Sequence, residues 1–168
     1  MSLSEKLNGA LNQQLMRELE AEQFYLSLCA YFESLDLKGF AQYFRQQSEE
    51  EHVHAMKFFD FVNERSGRVE LYDLKKPKHE WESPLDAAEY FLASEQEVTQ
   101  AINGLVKQAR EEHDYATETF LQWFITEQVE EEDKASYLIS QLELIGESKE
   151  GLYHLDKELG AGNENQAE

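Results

Sequence analysis

Three observations predict an all-α fold, a four-helix bundle with one long crossover and a short fifth helix at its C-terminal end. Apolar residues recur at three- and four-residue steps along four stretches of roughly thirty residues each, the period of a helix face. Helix breakers are scarce, with two Pro and eight Gly in 168 residues, against many Glu, Leu, Ala and Gln. The connections between stretches are short except one, so consecutive helices pair antiparallel and one segment must cross the bundle. The length suits a single domain with a self-sufficient core. It is expected over residues 1–160, with 161–168, mostly Asn, Glu and Ala, as a disordered tail.

The first helix is expected from Ser4 to about Ser34, with Leu7, Leu11, Leu15, Leu19, Leu26 and Cys29 as its stripe. Glu18 sits one turn beyond Leu15 on the apolar side, and Tyr25, seven residues on, nearly superimposes on it in rotation. Asp36 to Gly39 makes a short turn. The second helix runs from about Gly39 to Ser66 and is ended by Gly67. Phe40, Phe44, Ala55, Phe58 and Val62 line one face, and in the gap that face passes over Gln47, Glu51 and His54. Between Gly67 and Ser83 the helical period lapses. Val69-Glu70-Leu71-Tyr72 reads as extended and Lys75-Lys76-Pro77-Lys78-His79 as a solvated basic loop. The aromatic and aliphatic content of the whole segment marks an ordered crossover.

Ser83-Pro84-Leu85-Asp86 is a helix start, with a capping serine, proline at the first position and an acid at the third. The third helix carries Leu85, Ala88, Leu92, Val98, Ile102, Leu105 and Ala109 on one face, with Glu95 midway between Leu92 and Val98. After a turn at His113-Asp114, the fourth helix covers about Tyr115 to Ile145. Phe120 and Phe124 open its stripe and Leu138, Leu142 and Ile145 close it. Glu127, Gln128 and Glu131 interrupt it in phase, with Glu130 beside them. Gly146 and Gly151 bracket a loop before the short helix of Leu152, Leu155 and Leu159.

A formal net charge of −20 argues against binding nucleic-acid phosphates or anionic membranes and favours drawing in cations. One cysteine, Cys29, excludes an internal disulfide framework and fits a reducing compartment. No signal-peptide pattern or apolar run of transmembrane length is present, so a cytoplasmic location is expected.

The chemistry lies where the apolar seams break. Each long helix places acidic or amide groups mid-seam: Glu18, Glu51 with His54, Glu95, and Gln128 with Glu131. Glu18 to Glu51 and Glu95 to Gln128 both span 33 positions, so Gln128-x-x-Glu131 stands in the second half where Glu51-x-x-His54 stands in the first. Carboxylates facing one another in a core repel and hold their protons unless cations neutralise them. Hard oxygen donors with one imidazole suit iron, manganese or zinc. Inward Glu residues with Glu-x-x-His motifs on facing helices make the di-metal site of carboxylate bundles. Here one such motif is replaced by Gln128-x-x-Glu131.

From about Leu3 to Gly160 the chain resembles the non-haem bacterial-type ferritins. The match is carried by Glu18, Tyr25, Glu51-x-x-His54, the run Glu95 to Gln100, Phe120-Leu121-Gln122-Trp123-Phe124, the run Glu127 to Glu131, and Gly151 to Leu159. The resemblance implies a ferritin-like bundle that assembles as a hollow cage of twenty-four identical subunits, each with a di-iron ferroxidase centre. It would store iron by oxidising Fe(II) to Fe(III) with O2 or hydrogen peroxide. Glu18, Glu51 and His54 would hold the first iron, with Glu51 bridging. Glu95 and Glu131 would hold the second, with Gln128 nearby. Glu50, Glu127 and Glu130, with Glu131 shared, match a possible third iron position, and Tyr25 matches a tyrosine that supplies an electron. His52 stands where bacterioferritins carry a haem-ligating methionine, but reads as a surface or interface histidine, and Trp123 reads as packing. One rival is a rubrerythrin-like di-iron peroxidase without a cage, which lacks a Cys-x-x-Cys pair here. The other is a helical scaffold whose acids face solvent.

Overall fold

The computed structural model describes residues 2–162. These contain five helices and no strand: α1 (Glu5–Ser34), α2 (Lys38–Glu64), α3 (Pro84–Glu111), α4 (Tyr115–Ile145) and α5 (Lys149–Ala161). The expected tail begins one residue inside α5, and 163–168 lie outside the described residues.

Side-chain caps start four of the helices by accepting from a backbone N–H left unpaired in the first turn. Ser4 Oγ accepts from Leu7 N (3.0 Å), Ser83 Oγ from Asp86 N (3.1 Å), Asp114 Oδ1 from Thr117 N (3.0 Å) and Ser148 Oγ from Gly151 N (3.0 Å). α2 begins after Leu37, which has no capping side chain. Its cap comes from α5, where buried Asp156 accepts from Phe40 N through Oδ1 at 3.0 Å. Gly39 makes this docking possible, because a Cβ there would collide with the carbonyl oxygen of Asp156.

Three helices end on a non-glycine residue in the left-handed region: Asp36 (φ 57°), Ser66 (φ 55°) and His113 (φ 55°). The end of α2 therefore differs from the sequence reading, since Ser66 makes the reversal and Gly67 follows it. Gly67 is there for space: a Cβ would run into the Asn8 side chain and lie 3.0 Å from Val62.

α1 and α2 form one antiparallel hairpin and α3 and α4 the other. The crossover must return the chain along the full bundle, because α2 and α3 run parallel. A helix of 27 residues is about 40 Å long, which needs at least about twelve extended residues to retrace. The segment lies along α1 and is fastened there by side chains that substitute for a neighbouring strand. Asn8 and Asn12 donate through Nδ2 to Arg68 O (3.1 and 2.8 Å), Asn8 Oδ1 accepts from Arg68 N (3.0 Å) and Asn12 Oδ1 accepts from Glu70 N (3.0 Å). Further along, Ser27 Oγ donates to Lys78 O at 2.7 Å.

The interior has three layers. One apolar cluster joins Tyr25, Leu28 and Phe32 to Phe40, Phe44, Phe91, Leu138 and Leu155. The other joins Leu7, Leu11 and Leu15 to Phe58, Val62, Ile102, Leu121 and Phe124. Between them each long helix contributes buried polar groups: Gln14 and Glu18, then Gln47, Glu51 and His54, then Glu95, then Gln128 and Glu131. The expected α1 stripe needs one correction: Leu26 is 53 % exposed. The inward phase after Leu15 runs through Glu18, Ala21, Tyr25, Leu28 and Phe32, and Leu26 lies about 100° from it.

Candidate metal centre

The polar layer is built by register. Each hairpin sets position i opposite i+33, so Gln128 Nε2 donates to Glu95 Oε2 (3.0 Å) and to Glu95 O (3.2 Å), and Thr99 Oγ1 donates to Glu132 Oε1 (2.6 Å). In the first hairpin the same offset brings Glu18 against Glu51. Glu18, Glu51 and His54 each offer one ligand atom within 4.8 Å of the others, and all three are buried. His54 Nδ1 lies 3.1 Å from Glu51 Oε2, and its Nε2 lies 3.9 Å from Glu127 Oε1.

Glu95 and Glu131 are buried across the layer but are engaged by protein donors. The Tyr25 hydroxyl donates a short hydrogen bond to Glu95 Oε1. Glu131 Oε2 accepts from Gln47 Nε2 at 2.7 Å and its Oε1 from Lys134 Nζ at 2.7 Å. Glu18 Oε1 accepts from Gln14 Nε2 at 2.7 Å. Glu50 and Glu127 are half-buried at the rim, and Glu130 is exposed.

The electrostatics follow from burying acids together. Burial, then the charge of Glu51, holds the Glu18 carboxyl well above its ordinary value. Burial pushes Glu51 and Glu95 each up to about 8, against relief from hydrogen bonds with Glu18 and Gln128 respectively. The Glu18–Glu51 hydrogen bond acts oppositely on the two, raising Glu18 and lowering Glu51, but burial still raises both. Burial and the Glu131 and Glu130 charges also raise Glu127, despite His54. Burial alone would weaken the Lys134 ammonium. Its hydrogen bond to Glu131 and the charges of Glu131, Glu50 and Glu127 outweigh that and keep it protonated.

The fold therefore gathers Glu18, Glu51 and His54 into one ligand-like cluster. It sets Glu95, Gln128 and Glu131 in the same layer, and leaves Glu50, Glu127 and Glu130 toward solvent. Gln14, Gln47 and Lys134 were not singled out as site residues from the sequence. Gln14 and Lys134 lie four and three residues from the carboxylates they contact, which is the one signal that marks them, whereas Gln47 reaches Glu131 on another helix. His52 is exposed, with Nδ1 3.2 Å from Glu22 Oε2, in keeping with a surface histidine. Trp123 is 41 % exposed. It packs edge-on against His54, with ring centroids 5.3 Å apart, under the Lys57 ammonium at 4.3 Å.

Among known proteins, the family model of the ferritin-like domain matches residues 8–145. A bacterial non-heme ferritin of Staphylococcus aureus (strain USA300) is 40% identical over 159 residues, 95% of this chain and 96% of the relative. A bacterial non-heme ferritin of Staphylococcus epidermidis (strain ATCC 35984) is 39% identical over 164 residues, 98% of this chain and 99% of that one. Among solved structures, an open pore ferritin from the hyperthermophilic archaeon Archaeoglobus fulgidus superposes with a TM-score of 0.94 at 50% identity, over 95% of this chain and 98% of its own. No helix among the described residues is long and apolar enough to cross a membrane. On full-length similarity in both sequence and fold, the chain belongs to the ferritin family.

Proposed function

We propose that this ferritin stores iron by oxidising it at a di-iron centre in the polar layer. The observation that carries the reading is a charge balance: four buried carboxyls, Glu18, Glu51, Glu95 and Glu131, meet one imidazole in a bundle interior. Two divalent cations would neutralise the four carboxylates and release the protons that burial now favours on Glu18, Glu51 and Glu95. Glu18, Glu51 and His54 hold the first Fe(II), Glu51 bridges, and Glu95 and Glu131 hold the second beside Gln128. The ions give one electron each. O2 takes the pair with two protons to become hydrogen peroxide, or peroxide takes the pair with two protons to become two waters. Carboxylates favour the harder Fe(III), and Gln14, Gln47 and Gln128 fix their orientation. Full reduction of O2 to two waters takes four electrons and four protons: the pair gives two, an Fe(II) at the third position one, and Tyr25, hydrogen-bonded to Glu95, the fourth. Glu50, Glu127, Glu130 and Glu131 hold a third ion on its way to the mineral. The assembly is a cage of twenty-four copies with a single domain per chain over residues 1–160.

Stopped-flow absorbance on mixing the assembled protein with Fe(II) and O2 tests the centre. Glu51→Ala and His54→Ala lower the fast oxidation rate at least about a hundredfold, while size-exclusion chromatography still reports a particle of twenty-four 19.6 kDa chains. Unchanged initial rates overturn the assignment. Elution as a single bundle would favour the cage-free peroxidase instead. Freeze-quenched electron paramagnetic resonance is expected to show a tyrosyl radical that Tyr25→Phe abolishes; a radical surviving in that variant would remove Tyr25 from the scheme.

A further inference from the structure

Lys134 stands one turn beyond Glu131 on α4, so its side chain reaches back along the same face. Its ammonium lies 2.7 Å from Glu131 Oε1 and 3.5 Å from Glu50 Oε2 on α2. Those two acids belong to the third-ion set of Glu50, Glu127, Glu130 and Glu131 described above. The second oxygen of Glu131 accepts from Gln47 at 2.7 Å, so both oxygens of this buried carboxylate are engaged by protein. The Lys134 side chain is 37% exposed and that of Glu50 40%, against 0% for Glu131. The ammonium thus sits at the boundary between the closed layer and solvent. A metal ion cannot share that place with it, since both use the same carboxylate oxygen and their charges repel. The flexible four-carbon stem lets the charge swing outward without disturbing the apolar clusters.

We propose that Lys134 is a tethered counter-cation of the third ion position: it occupies the gap between Glu131 and Glu50 when no ion is there and must leave before one binds. The proposal rests on the third-ion reading given under the proposed function. It explains why that position would be a transit point. The apparent affinity there is the intrinsic one reduced to the fraction of time the ammonium is out. An ion that does enter is then displaced toward Glu127 and Glu130 when the ammonium returns. The first position has no such competitor, because Glu18 and Glu51 face an amide and an imidazole instead, whereas the second position shares Glu131 with the ammonium.

Calorimetric titration of the assembled, metal-free protein with Zn(II), a redox-inert probe, tests this at fixed pH. The wild type is expected to bind two ions tightly and a third weakly. Lys134→Met keeps the length and removes the charge. It is expected to tighten the third site about tenfold while leaving the first ion, held by Glu18, Glu51 and His54, within about threefold. Lys134→Arg, still cationic, keeps the third site weak. A third site unchanged or weakened in Lys134→Met, with two tight ions retained, overturns the proposal and leaves the di-metal centre standing. Loss of the two tight ions in the wild type itself overturns both. If Lys134→Met fails to assemble, wild-type crystals soaked in Zn(II) decide the matter. An ion between Glu131 and Glu50 with the ammonium moved to solvent supports the proposal. An ion bound there with the ammonium still on Glu131, or no ion there at all, overturns it.

Discussion

Glu131 and Glu51 are both buried, yet their surroundings differ. Both oxygens of Glu131 accept from nitrogen donors, Gln47 and Lys134, whereas Glu51 lies beside an imidazole and a second buried carboxyl, Glu18. Gln47 is thus a positioning residue for the second ion. Gln47→Leu is expected to weaken Zn(II) binding at that ion about tenfold and to spare the first, as read by titration with Glu95→Gln as the reference for a lost second position. Equal weakening of both ions would instead mean that the layer has collapsed. The acids themselves were legible in the sequence because a carboxylate in apolar phase is costly without a partner. The roles of Gln47 and Lys134 were not: Gln47 falls on the inward face, but glutamine and lysine are ordinary on helices and only the folded geometry sets both against Glu131. Leu26 was misread for a related reason. A seven-residue step from Leu19 keeps the same rotation, but Leu19 itself lies at the edge of the buried face.

At the scale of elements, the crossover shows how an irregular segment is held straight. Asn8 and Asn12 sit one turn apart on α1, and their amides satisfy Arg68 and Glu70 as an adjacent strand would. Asn12 is buried, so Asn12→Ala leaves the Glu70 N–H without its partner and Arg68 O with only the Asn8 amide, at a cost of about 1–3 kcal/mol. Chemical denaturation measures that cost, and limited proteolysis should cut faster within residues 67–82 than in the wild type. Protection unchanged in both assays would mean the hydrogen bonds add nothing beyond the apolar contacts of the segment. The helices and their order were readable from period, caps and short turns, and the recurring 33-residue offset reflected the register of two hairpins. The fastening by asparagines was not readable, because it depends on which face of α1 the crossover lies against. The cap that Asp156 gives to α2 was hidden likewise, since 116 residues separate Asp156 from Phe40.

Across the whole molecule, a polar layer divides the core into two apolar clusters, in a chain whose net charge is −20. Without metal, burial favours the protonated forms of Glu18, Glu51 and Glu95, while the Lys134 ammonium lies against Glu131. Glu51 and Glu95 titrate at about 8 when folded, against an ordinary 4.5, and Glu18 is raised in the same direction. Between those values the folded chain binds more protons than the unfolded one, so stability falls as pH rises. Their contribution is complete below about 4.5 and is lost as pH climbs through about 8. The metal-free protein is therefore expected to melt several degrees lower at about pH 8.5 than at about pH 5.5, since each kcal/mol moves Tm by about 2–4 °C for a chain of this size. Surface repulsion between acids would act in the same direction, but about 0.5 M salt screens it and leaves the buried layer unscreened. Metal reverses the trend. Zn(II) competes with protons for the same carboxylates, so the saturated protein should hold its Tm through the alkaline half of the range, and Glu95→Gln should flatten the metal-free slope. A metal-free melting temperature that rises with pH in high salt would show that these carboxyls do not keep their protons in the folded chain.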